Sequence, residues 1–296
     1  MKSRNILWAV VLSVLIAAGG AAAVWILGRQ VGSGLFTGKV GLVEVRGVIQ
    51  QPEPVLKALI EFRYDDDVAA VVLRVDSPGG GAAASQEIYR EIQRLKRVKP
   101  VVASLAGVAA SGGYYIAAPC SKIVANPATV TGSIGAIATI PDLEKLFAKL
   151  GIKMQVVKSG ELKAAGQVDR PLNPAERAMI QAAITDTHQQ FISDVAKARR
   201  LPLSRVRAIA NGGIFTGRKA RQYGLVDKLG NLVDAVNLAA RLGGIEGRPT
   251  LVRPREKERP WWQRLLLDET RALVQELVSQ ALPQGLMYLY LPSRGS

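Results

Sequence analysis

Two side chains in this sequence have the types needed for nucleophile and base. Ser111 stands in "GVAASGGYYIAAP" (107–119), between Ala110 and the pair Gly112–Gly113. A hydroxyl that follows a strand and opens a helix sits where a nucleophile elbow holds its serine, although the local sequence is not G-x-S-x-G. The same place suits a helix N-cap, whose side-chain oxygen accepts an amide hydrogen bond. Lys163 stands in "KSGELKAAG" (158–166), where Ser159, Gly160, Ala164, Ala165 and Gly166 would let it enter a tight cleft. A lysine acts as a base only without its proton, and burial, which disfavours the ammonium, favours that state. The stretch suits equally a lysine in a surface loop.

Other bases and nucleophiles are scarce. The chain has one histidine, His188, and one cysteine, Cys120. Most serine and cysteine nucleophiles borrow a histidine, but His188 lies within a helical pattern beside Thr187, Gln189 and Gln190, on a solvated face rather than in a site. A single cysteine excludes an internal disulfide and a metal site of several thiolates. Three glycine-rich turns remain: "DSPGGG" (76–81), "AASGG" (109–113) and "TGSIG" (131–135). In layered α/β folds ligands bind where loops leave the carboxyl ends of strands. Glycine lets main-chain amides approach a ligand there and stabilise an oxyanion.

These residues need a scaffold of buried strands and helices. "KVGLVEVRGVI" (39–49) reads as a strand, "EPVLKALIEFRYD" (53–65) as a helix and "VAAVVLRVD" (68–76) as a fully buried strand that ends at a "SPGGG" turn. "AASQEIYREIQRLKRV" (83–98) has helical spacing, "PVVASLAG" (100–107) is the next strand, and Ser111 starts a helix. Two short strands around a turn follow in 122–139, then a helix (142–151), a strand "IKMQVVKSG" (152–160) and a long amphipathic helix (173–199) capped by Asn173 with Pro174 at its first position. Buried strands alternating with helices predict an α/β, mostly parallel layered fold.

Composition and termini set the surroundings. The 296 residues carry 39 Lys and Arg against 24 Asp and Glu, a net charge of +15. Such charge favours anionic surfaces, lipid head groups above nucleic acid, for which no binding motif is visible. Residues 6–27 carry no charge, and as a helix would span roughly 30 Å, the thickness of a bilayer core. Trp8 and Trp25 lie near the two ends of that run, and Lys2 and Arg4 precede it. The expectation is an uncleaved anchor with its start in the cytoplasm and the rest of the chain outside, a cleaved signal peptide being the competing reading. The domains predicted are 1–28, cytoplasmic start and transmembrane anchor; 29–38, linker; 39–245, catalytic domain; and 246–296, a basic and amphipathic extension. In that extension Trp261 and Trp262 adjoin basic residues, and 265–282 has helical spacing, as suits a membrane interface or a helix packed on protein. The last stretch, "GLMYLYLPSRGS" (285–296), has extended, aromatic character and is expected to fit a peptide groove as a strand.

Four motifs in order, "RVDSPGGG", "ASGGYYIA", "TGSIGAI" and "KSGELKAAG", resemble the signal peptide peptidase A family of bacteria over about 39–243. The resemblance is to the short, single-copy form. It implies a ClpP/crotonase-like fold, a membrane-bound serine endopeptidase and no cofactor. Residue by residue, it matches Ser111 to the nucleophile, Lys163 to the general base, Ser133 to a hydroxyl that orients the lysine, and Gly80 to an oxyanion-hole amide, with Gly79 its neighbour; Gly112 follows by analogy as the second donor. It implies extended peptides as substrates, chiefly cleaved signal peptides at the membrane, and a homo-oligomer with active sites at subunit contacts, with Lys163 acting on Ser111 of its own chain or of a neighbour. The "GGAAA" (80–84) and "VVLRV" (71–75) edges are the expected strand partners for such peptides. The alternatives are a crotonase-like acyl-CoA enzyme and a non-catalytic membrane scaffold of the same fold.

Overall fold

The first strand, β1 (Lys39–Ile49), is followed by helix α1 (Glu53–Tyr64) and by the long strand β2 (Val68–Gly81). β1 and β2 run parallel, Val40 opposite Ala70 through Ile49 opposite Gly80. Side chains alternate across a strand, and in β2 both faces are apolar: Val71, Leu73 and Val75 enter one core, Ala70 and Val72 a second. A strand buried on both faces reads as a continuous hydrophobic run, which is why "VAAVVLRV" lacks polar alternation. The computed structural model describes residues 38–255 and a strand at 287–289. The apolar run 6–27 and the Trp261–Trp262 segment lie outside these residues. Among the described residues no helix is long and apolar enough to cross a membrane.

Helix α2 (Ala82–Leu95) buries Ile88, Ile92 and Leu95 against the first core. Strand β3 (Val101–Ala110) returns parallel to β2, and the short helix α3 (Gly112–Ala117) follows. β4 (Lys122–Ala125) and β5 (Val130–Gly132) both pair with β3, in parallel. Helix α4 (Glu144–Lys149), a 3-10 turn (Glu161–Ala164) and the long α5 (Pro174–Arg199) come next. The chain then adds α6 (Leu203–Ile209), β6 (Ile214–Thr216), α7 (Gly217–Tyr223), β7 (Lys228–Leu229), α8 (Leu232–Leu242), β8 (Thr250–Val252) and β9 (Met287–Leu289). The sheet runs β6-β5-β3-β2-β1-β8, with β4 and β7 branching from β3 and β9 on β2. Among the described residues only the β5–β6 and β2–β9 pairings are antiparallel. α8 covers one face through Ala235, Ala239 and Ala240, and α1, α2, α3, α5, α6 and α7 cover the opposite face. This is an α/β fold around a central, mostly parallel sheet, as the ClpP/crotonase-like expectation requires.

Three expectations are corrected. "SPGGG" is not a turn: β2 continues through it to Gly81, because Val48 and Ile49 of β1 still pair with Gly79 and Gly80. "VVLRV" is not an edge, since β1 and β3 flank it. "IKMQVVKSG" forms no strand, and it is exposed throughout. Its alternating apolar residues meet no partner strand among the described residues, and an extended segment without a ladder partner leaves its main chain to water. The long helix matches its expected span, with Asn173 accepting from the Glu176 amide and Glu176 accepting from the Asn173 amide. Its first half is largely exposed; Phe191, Ile192, Val195 and Ala196 bury the second.

Candidate active site

Ser111 stands where β3 gives way to α3. Its φ of 53° and ψ of −120° lie in a region disfavoured for a side-chain-bearing residue, and the surrounding bonds hold it there. Its amide donates to the Gly132 carbonyl at 2.8 Å and its carbonyl accepts from the Tyr115 amide at 2.8 Å. The residue is 1% exposed, yet its Oγ has no hydrogen-bond partner. It therefore does not act as an N-cap: no side-chain bond to the helix is present. A buried hydroxyl without a partner is costly unless it has another use, and strained backbone is typical of functional sites.

Two glycines let the neighbouring motifs close on this residue. A Cβ on Gly113 would lie 2.6 Å from the Ser77 carbonyl oxygen, and one on Gly80 would lie 2.1 Å from that of Ile49. Only glycine permits either approach, so α3 seats against the end of β2. The Gly79 amide donates to Ser77 Oγ at 3.1 Å, which leaves Gly80 as the stronger of the two oxyanion candidates. Gly112 is the first residue of α3, whose opening amides have no partner within the helix.

The third motif arrives through β5. Ala110 pairs with Gly132, and Thr131 Oγ1 donates to the Ala109 carbonyl at 2.6 Å. Ser133 follows with φ 51°, is 7% exposed, and its amide donates to the Gly213 carbonyl at 2.8 Å. The structure thus gathers Ser111, Ser133, Gly79, Gly80 and Gly112 at one end of the sheet. Lys163 is not bonded to this group: its side chain is exposed on the 3-10 turn, and Ser111 Oγ has no hydrogen-bond partner.

Residues that sequence reading missed support this arrangement. The Tyr114 hydroxyl donates to the Leu225 carbonyl at 3.0 Å and the Tyr115 hydroxyl donates to Asp194 Oδ2 of α5. The helix behind Ser111 is thereby tied to two distant parts of the chain. Arg170 is a second case. It donates to both carboxylate oxygens of Glu176, at 2.6 and 2.8 Å, and at 3.3 Å to the carbonyl of Ala164, the neighbour of Lys163. This fork and the Asn173 amide hold the Glu176 carboxyl well below its usual range, at about 2. His188 lies on α5, but half-buried rather than on a solvated face, with Nε2 buried and unpartnered. Burial pushes the Cys120 thiol up to about 12, so it is no thiolate nucleophile. A cleft of about 630 Å³ opens elsewhere, between the first half of β1, α1 and Arg253–Arg255; its lining includes none of the residues around Ser111.

Residues 93–246 match the model of peptidase family S49. The chain belongs to that family. This S49 protease is 43% identical over 210 residues to a candidate protease of Synechocystis, covering 70% of this chain and 76% of that protein. It is 40% identical over 187 residues to protease 4 of Salmonella typhi, covering 63% of this chain but 30% of the relative. It is 35% identical over 208 residues to the chloroplastic serine protease SPPA of Arabidopsis thaliana, covering 68% of this chain and 31% of the relative. The expected membership of the signal peptide peptidase A family stands, and the S49 chain is a protease. The acyl-CoA reading falls with that membership.

Proposed function

We propose that this S49 chain is a membrane-bound serine endopeptidase in which Ser111 is the nucleophile and Lys163 of a neighbouring copy is the general base. The supporting observation is the Ser111 hydroxyl: buried, on strained backbone, next to glycine amides and without a bonding partner of its own. Neutral Lys163 accepts the hydroxyl proton as Oγ attacks the scissile carbonyl. The oxyanion rests on the amides of Gly80 and Gly112. Collapse of the tetrahedral species expels the amine of the leaving peptide, which takes the proton from Lys163. Water then hydrolyses the acyl-enzyme by the reverse exchange. Ser133, beside Gly132 in the same turn, orients the amine.

The neighbour enters because of what surrounds Lys163. Ile152, Met154, Val156 and Val157 are exposed, Val157 completely. Exposed apolar residues in one continuous stretch mark an interaction surface. A second copy packed here would cover them and remove Lys163 from water, the condition for a neutral amine. Extended peptides are the substrates, with leftover signal peptides in the membrane the principal class, as the name of the family indicates. The uncharged run 6–27 anchors the chain, with the catalytic domain outside the cytoplasm.

The test is hydrolysis of an Ala-rich fluorogenic peptide by the full chain and by Ser111→Ala and Lys163→Ala. Both variants are expected to lose at least about 10³-fold in kcat with unchanged circular dichroism. Activity retained by either variant rejects the role given to that residue.

A further inference from the structure

Strands β1, β2, β3, β4 and β7 lie side by side and run parallel. They therefore begin at one end of the sheet, and Ser111 stands at the other. Lys122 opens β4 and Lys228 opens β7. α5 ends at the same place: Arg199 donates to Asp227 Oδ2 at 2.7 Å, and that oxygen accepts from the Ile123 amide at 2.8 Å. The next residue, Arg200, closes α5 with φ 53° and ψ 41°, a left-handed conformation that favours glycine. The turn at 96–99 leads into β3 beside it. Partial burial, with repulsion from Arg199 and Arg200, holds the Lys96 amine below its usual pKa. Lys96, Arg97, Lys122, Arg200 and Lys228 are all exposed. The carboxylate among them, Asp227, is taken up by Arg199 and, at 3.7 Å, by Lys122. Two apolar side chains stand in the same surface, Val98 at 63% exposure and Leu203 at 45%. Asp65, Asp66 and Asp67 lie to one side, before β2, with Lys39 bonded to Asp67.

Cations gathered around exposed apolar side chains match a lipid interface. Ammonium and guanidinium groups meet the phosphates, and the apolar groups enter the head-group layer. A free phosphate or a nucleic acid would leave Val98 and Leu203 in water. We propose that this end of the sheet docks on the anionic head groups of a membrane and holds Ser111 away from the bilayer. The inference rests on the membrane-bound reading for its setting, though not for the chemistry of the surface. β1 also starts at this end, and residues 28–38, which link it to the uncharged run 6–27, reach at most about 38 Å. The anchor therefore permits the contact. β3 puts ten residues between the two ends, so Ser111 lies about 30 Å from the lipid. A peptide has to leave the bilayer to be cut.

The test is amide hydrogen exchange of the full chain with vesicles of phosphatidylcholine alone or with about 30% phosphatidylglycerol. Flotation with the neutral vesicles reports the anchor; its absence rejects the membrane-spanning reading, and exchange with the anionic vesicles still decides the docking surface. Amides of 96–99 and 200–204 are expected to exchange about tenfold more slowly on the anionic vesicles than on the neutral ones, and those of 111–115 equally on both. The difference is expected to vanish at about 1 M salt, where the screening length is about 3 Å. A variant carrying Lys96→Glu, Arg97→Glu, Lys228→Glu and Arg200→Gly, the last relieving the left-handed backbone, is expected to lose the difference with unchanged circular dichroism. Inorganic phosphate added to the neutral vesicles is expected to change nothing; slowing by phosphate alone would assign the cations to a small anion and overturn the proposal. Equal exchange on both kinds of vesicle, or slowing that survives the four substitutions, overturns it as well.

Discussion

At Ser111 the backbone and the hydroxyl tell the same story. A φ of 53° with ψ of −120° is tolerated easily only by glycine, and such strain costs on the order of 1–3 kcal/mol. Ser111→Gly is therefore expected to abolish peptide turnover while stabilising the fold by about 1 kcal/mol, the strain relief being partly offset by the freedom glycine gains when unfolded. Thermal unfolding checks this, and a fall in Tm would show that the serine sits there without strain. The position of Ser111 after a strand was legible in the sequence. Its conformation was not, because it is set by contacts from Gly132 and from the Ser77 carbonyl that packs on Gly113.

Among the elements, the segment carrying Lys163 depends on α5 for its place. Arg170 bridges the Ala164 carbonyl to Glu176, and Glu176 also completes the capping box of α5. The folded carboxyl sits at about 2 against an ordinary 4.5, so it is held ionised. The sign follows: this stabilisation is complete above about pH 4.5, wanes below it and is gone once pH falls past about 2. Glu176→Gln keeps the cap geometry but removes the charge. It is expected to speed amide exchange in 160–170 at neutral pH severalfold and to leave the β1–β3 amides unchanged; uniform exchange throughout would contradict the bridge. The capping box was visible in "NPAE". The Arg170 fork was not, since nothing in the spacing says that the loop folds back over the helix start.

For the whole molecule, the proposed mechanism makes the single chain incomplete as a catalyst. Ser111 is buried with its partners at one end of the sheet, whereas Lys163 is exposed on a segment whose apolar residues face water. Shared active sites make a mixing prediction. Ser111→Ala chains and Lys163→Ala chains, each inactive, are expected to recover up to about a quarter of wild-type activity after co-assembly at equal amounts, because one subunit contact in four joins an intact serine to an intact lysine. No recovery in co-purified mixed assemblies would place serine and lysine in the same chain.

The sequence by itself determined the buried strands, the long capped helix and the four motifs, since each rests on local spacing, on turn-forming residues or on a contiguous match. Only the tertiary structure decided that "SPGGG" continues β2, that "VVLRV" is interior and that "IKMQVVKSG" pairs with no strand among the described residues. It alone placed β9 on the edge that β3 leaves. Propensity fixes what a segment prefers to be. Whether a strand has a neighbour, on which side, and whether its main chain is already paired depends on residues far away in the chain, and no local pattern records them.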